Sequence, residues 1–348
     1  MLRRDGVLDA LIDALAGVDR LVLLGDTLEL RNQPLSDVLL AAEPVFRRLG
    51  EALVGKSLVI VAGNHDHALV ERWLAHRDTP LTLEHRFAPE QASDAAMALA
   101  AAIGTSDVTL AYPGIWVRED VYATHGHYLD VHTTVPTFER LAIAASGAIT
   151  LDRSERWNDV HSPDDYEGLL SPIYAWMYAA AQSGRAGEAT GGGAAIRAWE
   201  MLRAGAAGGL RTRAFRAGFP LAVRGLNAAG LGPLRGEVSS STLRSAGLRA
   251  MSEVVERLRI RARHVIFGHT HRAGMIDGDI AAEWLTPNGV ALHNTGSWVY
   301  SETFVGAGDP QSPYWPGTAL LTDDGSPPQL LRLLADHRPA QLSSRARP

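Results

Sequence analysis

Four short clusters join glycine to carboxylate, amide or imidazole side chains: Gly25-Asp26, Gly63-Asn64-His65-Asp66, His125-Gly126-His127 and Gly268-His269-Thr270-His271. Carboxylate oxygen, amide oxygen and imidazole nitrogen together suit a Mn, Fe or Zn ion. No thiolate is present to favour a softer metal, because the chain has no cysteine. A glycine ahead of a polar ligand lets the backbone turn sharply and leaves room for an ion and its substrate. Taken alone, Gly-Asp after a strand is ordinarily a turn, and His125-Gly126-His127 alone is equally weak. Gly-Asn-His-Asp and Gly-His-Thr-His carry more weight, since so many polar groups at the end of a buried strand are costly without partners.

Each cluster follows an apolar run that positions it. Arg20–Leu24 precedes Gly25, Leu58–Ala62 precedes Gly63, Val121–Thr124 precedes His125 and His264–Phe267 precedes Gly268. Short continuous apolar strands alternating with helical segments indicate an α/β sheet buried on both faces, with functional residues just past the strand ends. Leu8, Leu11, Ile12 and Leu15 share one face of a first helix that Gly17 stops. A second helix is predicted from about Ser36 to Leu53, and Gly114–Val117 is predicted to pair with Val121–Thr124. Gly289–His293 and Thr318–Leu321 read as further short strands.

From residue 131 to 258 the character changes to Ala-rich helical stretches with Gly and Pro punctuation. Residues 181–250 hold ten arginines against three glutamates, with no aspartate or lysine, a formal charge of +7 in a chain whose net charge is -6. We read 1–130 and 259–335 as the core, 131–258 as a mostly helical, Arg-rich insertion, and 336–348 as a disordered tail. The insertion is either a cationic lid over an anionic substrate or lipid headgroup, or a set of solvated helix faces.

At 348 residues, with 46% hydrophobic and 21% charged residues, the composition is that of a globular protein. Without cysteine, disulfides, zinc-thiolate sites and thiol catalysis are excluded. The acidic balance disfavours nucleic acid as a partner. Met1–Asp13 is charged and lacks a signal-peptide core, and no run of about 18 apolar residues occurs. A cytoplasmic or membrane-peripheral location is expected.

The order and wording of the four clusters resemble the calcineurin-like metallophosphoesterase superfamily. Its pattern is Asp-x-His, Gly-Asp, Gly-Asn-His-Asp/Glu, His-Gly and Gly-His-x-His. The resemblance covers roughly Val18–His67, Tyr122–Asp130 and Ala262–Trp298. It implies a two-sheet sandwich flanked by helices and a site holding two divalent ions. On that resemblance Asp26 bridges the ions, Asn64, His125 and His269 complete one, and His271 serves its neighbour. His65 protonates the leaving oxygen or stabilises phosphoryl charge, and Asp66 orients its ring. The implied reaction is in-line attack on phosphorus by a hydroxide activated on two cations about 3.5–4 Å apart. His67, His127 and Asp130 lie beside ligands and either touch substrate, support the ligands by hydrogen bonds or face solvent. Asn294–Ser297 is given a structural role.

The family's first motif, Asp-x-His, ends a strand ahead of the first helix, and here Met1 already stands at that helix. Asp130-Val131-His132 and Asp159-Val160-His161 match the string but end no apolar strand in the right place. The expectation is therefore a missing first strand, an upstream start codon, exposed strand edges and an incomplete second metal site.

Phosphorylated small molecules are the leading substrate class. Gly25–Glu29 and His125–Asp130 also resemble the UDP-diacylglucosamine hydrolase branch, which cleaves a lipid-linked pyrophosphate, although that branch has arginine where His65 stands. A partner-binding scaffold on the same fold and a nuclease are the competing readings.

Overall fold

The computed structural model describes residues 1–104, 107–134, 160–183, 224–225, 227–228, 240–305 and 308–343. The chain opens with α1 (Asp5–Ala14), whose Val7, Leu8 and Leu11 are buried, and a 3-10 turn at Leu15–Gly17 stops it. Then follow β1 (Arg20–Leu24), α2 (Leu35–Ala52), β2 (Ser57–Val61), α3 (Glu71–His76), β3 (Glu84–Phe87), α4 (Pro89–Ala92), α5 (Asp94–Ile103), β4 (Asp107–Arg118) and β5 (Val121–Thr124). Two long helices come next, α6 (Pro163–Gln182) and α7 (Ser240–Arg257). The remainder is β6 (His264–Phe267), β7 (Ala273–Gly274), β8 (Ala291–Thr295), α8 (Glu302–Val305), β9 (Thr318–Leu321), β10 (Gln329–Arg332) and α9 (Pro339–Leu342).

The architecture is α/β. One eight-stranded mixed sheet runs β1-β2-β4-β5-β6-β8-β7, with β3 on β4, and β9 and β10 form a separate hairpin. The large curled sheet, which β4 carries through, and the small second sheet, with helices around them, fit an α/β sandwich. Residues Asp107–Ala111 of β4 pair with β2 in parallel, and Gly114–Arg118 pair with β5 antiparallel. Pro113 stands between the two ladders, where it has no N–H to contribute.

Register brings the site together. Leu24 is level with Val61, and Val61 with Ala111, so Gly25-Asp26 and Gly63-Asn64 emerge at one sheet edge. Across the other half, Ala123 is level with Ile266, which places His125 beside Gly268. Side chains alternate between faces. Leu58 and Ile60 join the core under α1, α2 and α5, whereas Val59 and Val61 join a second core with Ala111, Ile115 and Ile266. β1 lies at the end of the strand order, and its apolar residues are only half-buried.

Of the predicted insertion, α6 and α7 lie among the described residues. A capping box from Ser162 and Asp165 starts α6. Neither helix is a solvated appendage: Leu169, Leu170, Met251 and Val254 share a core with Tyr122, Val265 and Phe267 of the sheet. Among the insertion's arginines, Arg244 pairs with Glu283, and most of the others lie outside the described residues. The tail predicted as disordered from 336 folds as far as α9, where Leu342 is buried against Trp315 and Leu334. The apolar side of a single helical turn is enough to dock it. Among the described residues, no helix is long and apolar enough to cross a membrane.

Candidate metal centre

Asp26, His269 and His271 all have positive φ, at 52°, 63° and 57°. Non-glycine residues rarely adopt this left-handed conformation, and it clusters where side chains must be aimed against backbone preference. Two glycines make the approach possible. A β-carbon on Gly25 would run into the His125 ring, and one on Gly63 would run into the Asp26 carboxylate.

Among the described residues, Asp26, His125 and His269 each offer one ligand atom, and these atoms lie within 4.8 Å of one another. Asn64 joins them, with its Oδ1 3.2 Å from His125 Nε2. His125 Nδ1 lies 2.9 Å from the carbonyl oxygen of Leu24, which can only accept, so the ring donates Nδ1–H there. Its Nε2 then faces two acceptor oxygens, Asn64 Oδ1 and, at 3.4 Å, Asp26 Oδ2. Either a proton on Nε2 or a cation can stand among these three atoms. A single proton on Nε2 serves one oxygen, whereas a divalent cation serves all three and His269 as well. Burial works to raise the Asp26 pKa, but the charge on His125 and His65 holds it well below the usual range.

The His269 ring is itself held. Its Nε2 lies 2.9 Å from Oδ2 of the buried Asp130, the imidazole–carboxylate pairing that orients metal-ligating histidines. Asn294 ties the same loop down, donating from Nδ2 to the Gly268 carbonyl (3.2 Å) and to Thr270 Oγ1 (2.9 Å). This is the structural role predicted for it. His271 stands outside the group of three. Burial pushes its pKa down to about 4 against the pull of Asp26, and His269, His65 and His125 add to the depression, so its ring is neutral.

The expected Asp66–His65 contact gives way to a different arrangement. The Asp66 carboxylate accepts from the backbone N–H groups of Gly63 (2.7 Å), Thr27 (2.7 Å), Asp26 (3.3 Å) and Leu28 (3.3 Å). It therefore staples the loop after β1 to the loop after β2. Burial, together with the Asp26 charge, pushes its pKa up to about 6. The group that meets His65 is Glu29, whose Oε2 lies 2.6 Å from His65 Nδ1. With Nδ1–H committed to Glu29, Nε2 meets the Arg31 guanidinium, and the Asp26 carboxylate lies 3.8 Å away. Burial works to raise the Glu29 pKa, yet the His65 ring and then Arg31 hold it below the usual range.

Behind the ligands lies a second polar cluster. Glu167 of α6 is buried and receives hydroxyl hydrogen bonds from Tyr112 and Tyr128, 2.6 Å each, and from Ser171. His67 Nε2 completes the set at 3.0 Å. Burial opposes the Glu167 charge, but the His67 contact and its neighbours bring the pKa down to about 2. His67 and His127 are both buried, so neither faces solvent.

Glu29, Arg31 and Glu167 are the site residues that sequence reasoning missed. Glu29 and Arg31 follow Asp26 so closely that their nearness to the site was readable. Glu167 stands 100 positions from His67, on a helix with no motif. Comparison with protein families and with curated proteins found no match for this chain.

Proposed function

We propose that the chain is a metal-dependent phosphoesterase of the calcineurin-like type, hydrolysing a phosphate ester or pyrophosphate. The observation that carries this reading is the convergence of Asp26 Oδ2, Asn64 Oδ1 and His125 Nε2 on one point, beside His269. Carboxylate, amide and two imidazoles fit Mn, Fe or Zn. Asp26, Asn64, His125 and His269 would hold the first ion, and Asp26 with His271 a weaker second one. When bound, such ions lower the pKa of water toward 7 and neutralise phosphoryl oxygens.

The protein's own groups do the remaining work. Glu29 fixes the His65 ring through Nδ1, and Nε2 is the atom left to carry the proton for the leaving oxygen once Arg31 turns from it to the phosphoryl group. Arg31, at the same Nε2, supplies a fixed positive charge for the phosphoryl oxygens of a substrate. Asp66 keeps Asp26 and Asn64 at their spacing by holding four backbone amides from both loops. The substrate class extends from phosphorylated small molecules to lipid-linked pyrophosphates, at a cytoplasmic or membrane-peripheral location. The test loads the protein with Mn²⁺ and screens phosphomonoesters, diesters and pyrophosphates, with His65→Ala and Asn64→Ala as controls. Turnover lost in both variants is the expected result. A manganese-loaded protein that hydrolyses none of the three classes ends the proposal.

A further inference from the structure

We propose that Glu167 is a positioning residue for the metal centre, bracing the loop that carries Asn64 against the loop that carries His125 from behind. The inference rests on the metal-dependent reading above. His67 lies three residues beyond Asn64, and Tyr128 lies three beyond His125. Both side chains end on the one buried carboxylate, at 3.0 and 2.6 Å. Tyr112, from the strand between these loops, gives its proton to Glu167 and so presents its oxygen to His127 Nε2 at 3.2 Å. His127 is thus held as well, two residues past His125. The chain of donors runs in one direction, from His127 through Tyr112 to Glu167, and ends on a group that can only accept.

Stability alone does not call for this arrangement. A well-packed apolar side chain generally stabilises a core as well as a buried charge does. What the carboxylate adds is direction: donors from three other segments, with Ser171 of its own helix, must meet its two oxygens at fixed angles. Asn64 Oδ1 and His125 Nε2 are 3.2 Å apart, and metal coordination tolerates shifts of only about 0.2 Å. A brace that sets the spacing of the two loops therefore sets the affinity of the site.

The test compares Mn²⁺ affinity, by isothermal titration calorimetry on the full chain, with thermal stability in metal-free buffer. Glu167→Gln keeps the shape but puts an NH₂ group where one oxygen now receives donors. Leu170→Ala, one turn along α6 at a fully buried position, is the packing control. Both variants are expected to melt earlier. Glu167→Gln is expected to raise the Mn²⁺ Kd on the order of tenfold, and Leu170→Ala to change it by less than about twofold. Tyr128→Phe removes one donor and keeps the ring. It is expected to weaken Mn²⁺ about threefold, and it decides the matter if Glu167→Gln does not fold. Unchanged Mn²⁺ affinity in the folded Glu167 and Tyr128 variants overturns the brace while leaving the metal reading intact. Losses that track melting temperature in all variants, Leu170→Ala included, also overturn it. A wild-type protein that binds no Mn²⁺ overturns both.

Discussion

Around Glu167 each carboxylate oxygen meets hydrogen-bond donors supplied by the protein: Tyr112 and Tyr128 on one, His67 and Ser171 on the other. Around Asp26 the balance is reversed, with Asn64 Oδ1 and Asp26 Oδ2 both facing His125 Nε2 while Leu24 takes the other ring proton. The two clusters use similar side chains, are both largely buried and stand on neighbouring loops. One closes on itself, and in the other two acceptor oxygens share one imidazole nitrogen. That difference sets a closed scaffold apart from a candidate metal site, because buried polar groups persist where their partners are met within the protein or by a ligand.

The largest expected effect falls on the acceptor-rich side. His125→Ala should reduce Mn²⁺ affinity by at least about 100-fold if His125 is the direct ligand proposed, whereas changes to the residues behind ligands cost about 10- to 100-fold. Calorimetric titration reads this directly, and an unchanged affinity would erase the distinction between the clusters. Asp66→Asn should cost about 3 kcal/mol in chemical denaturation, because the amide's NH₂ group turns a donor toward backbone donors.

On the donor-rich side, pH sharpens the comparison. Glu167 is held at about 2 against an ordinary 4.5, so its stabilisation, about 3 kcal/mol at most, is present above pH 4.5 and is lost as pH falls toward 2. The stability gap between wild type and Glu167→Gln should therefore be widest above pH 4.5 and narrow on acidification. A gap that stays constant with pH would mean the carboxylate's charge plays no part. The smallest effect is expected for Glu29→Gln, with kcat down about tenfold through a misoriented His65 while Mn²⁺ affinity stays near wild type. A matching loss of metal would move Glu29 from the proton-handling group to the metal-holding one.

How much of this was legible in the sequence depended on how far each partner lies along the chain. Asp26, Asn64, His125 and His269 stood out because each follows an apolar run with a glycine beside it, and parallel register does the rest. Asp66 was recognised as part of the site but given the wrong partner. Its side chain turns back to amides some forty residues away, and nothing local to Asn64-His65-Asp66 encodes that turn. The true partner of His65 is Glu29, 36 positions earlier. Pro113 hid the continuity of β4, because proline in an apolar run reads as a break, and the strand passes through it by changing ladders. Glu167 was invisible for a physical reason: a lone glutamate in an Ala-rich helix looks solvated until the helix is docked. That docking depends on Leu170 and Tyr174 meeting the sheet side of the core.

Metal content after dialysis against Mn²⁺, on wild type and Asn64→Ala side by side, bears most directly on the proposed metal centre at Asp26. One ion held tightly per chain, a second held weakly and the tight ion lost in Asn64→Ala is the expected result. No bound ion, two ions held equally tightly, or an Asn64→Ala protein that keeps its ion as wild type does would contradict it.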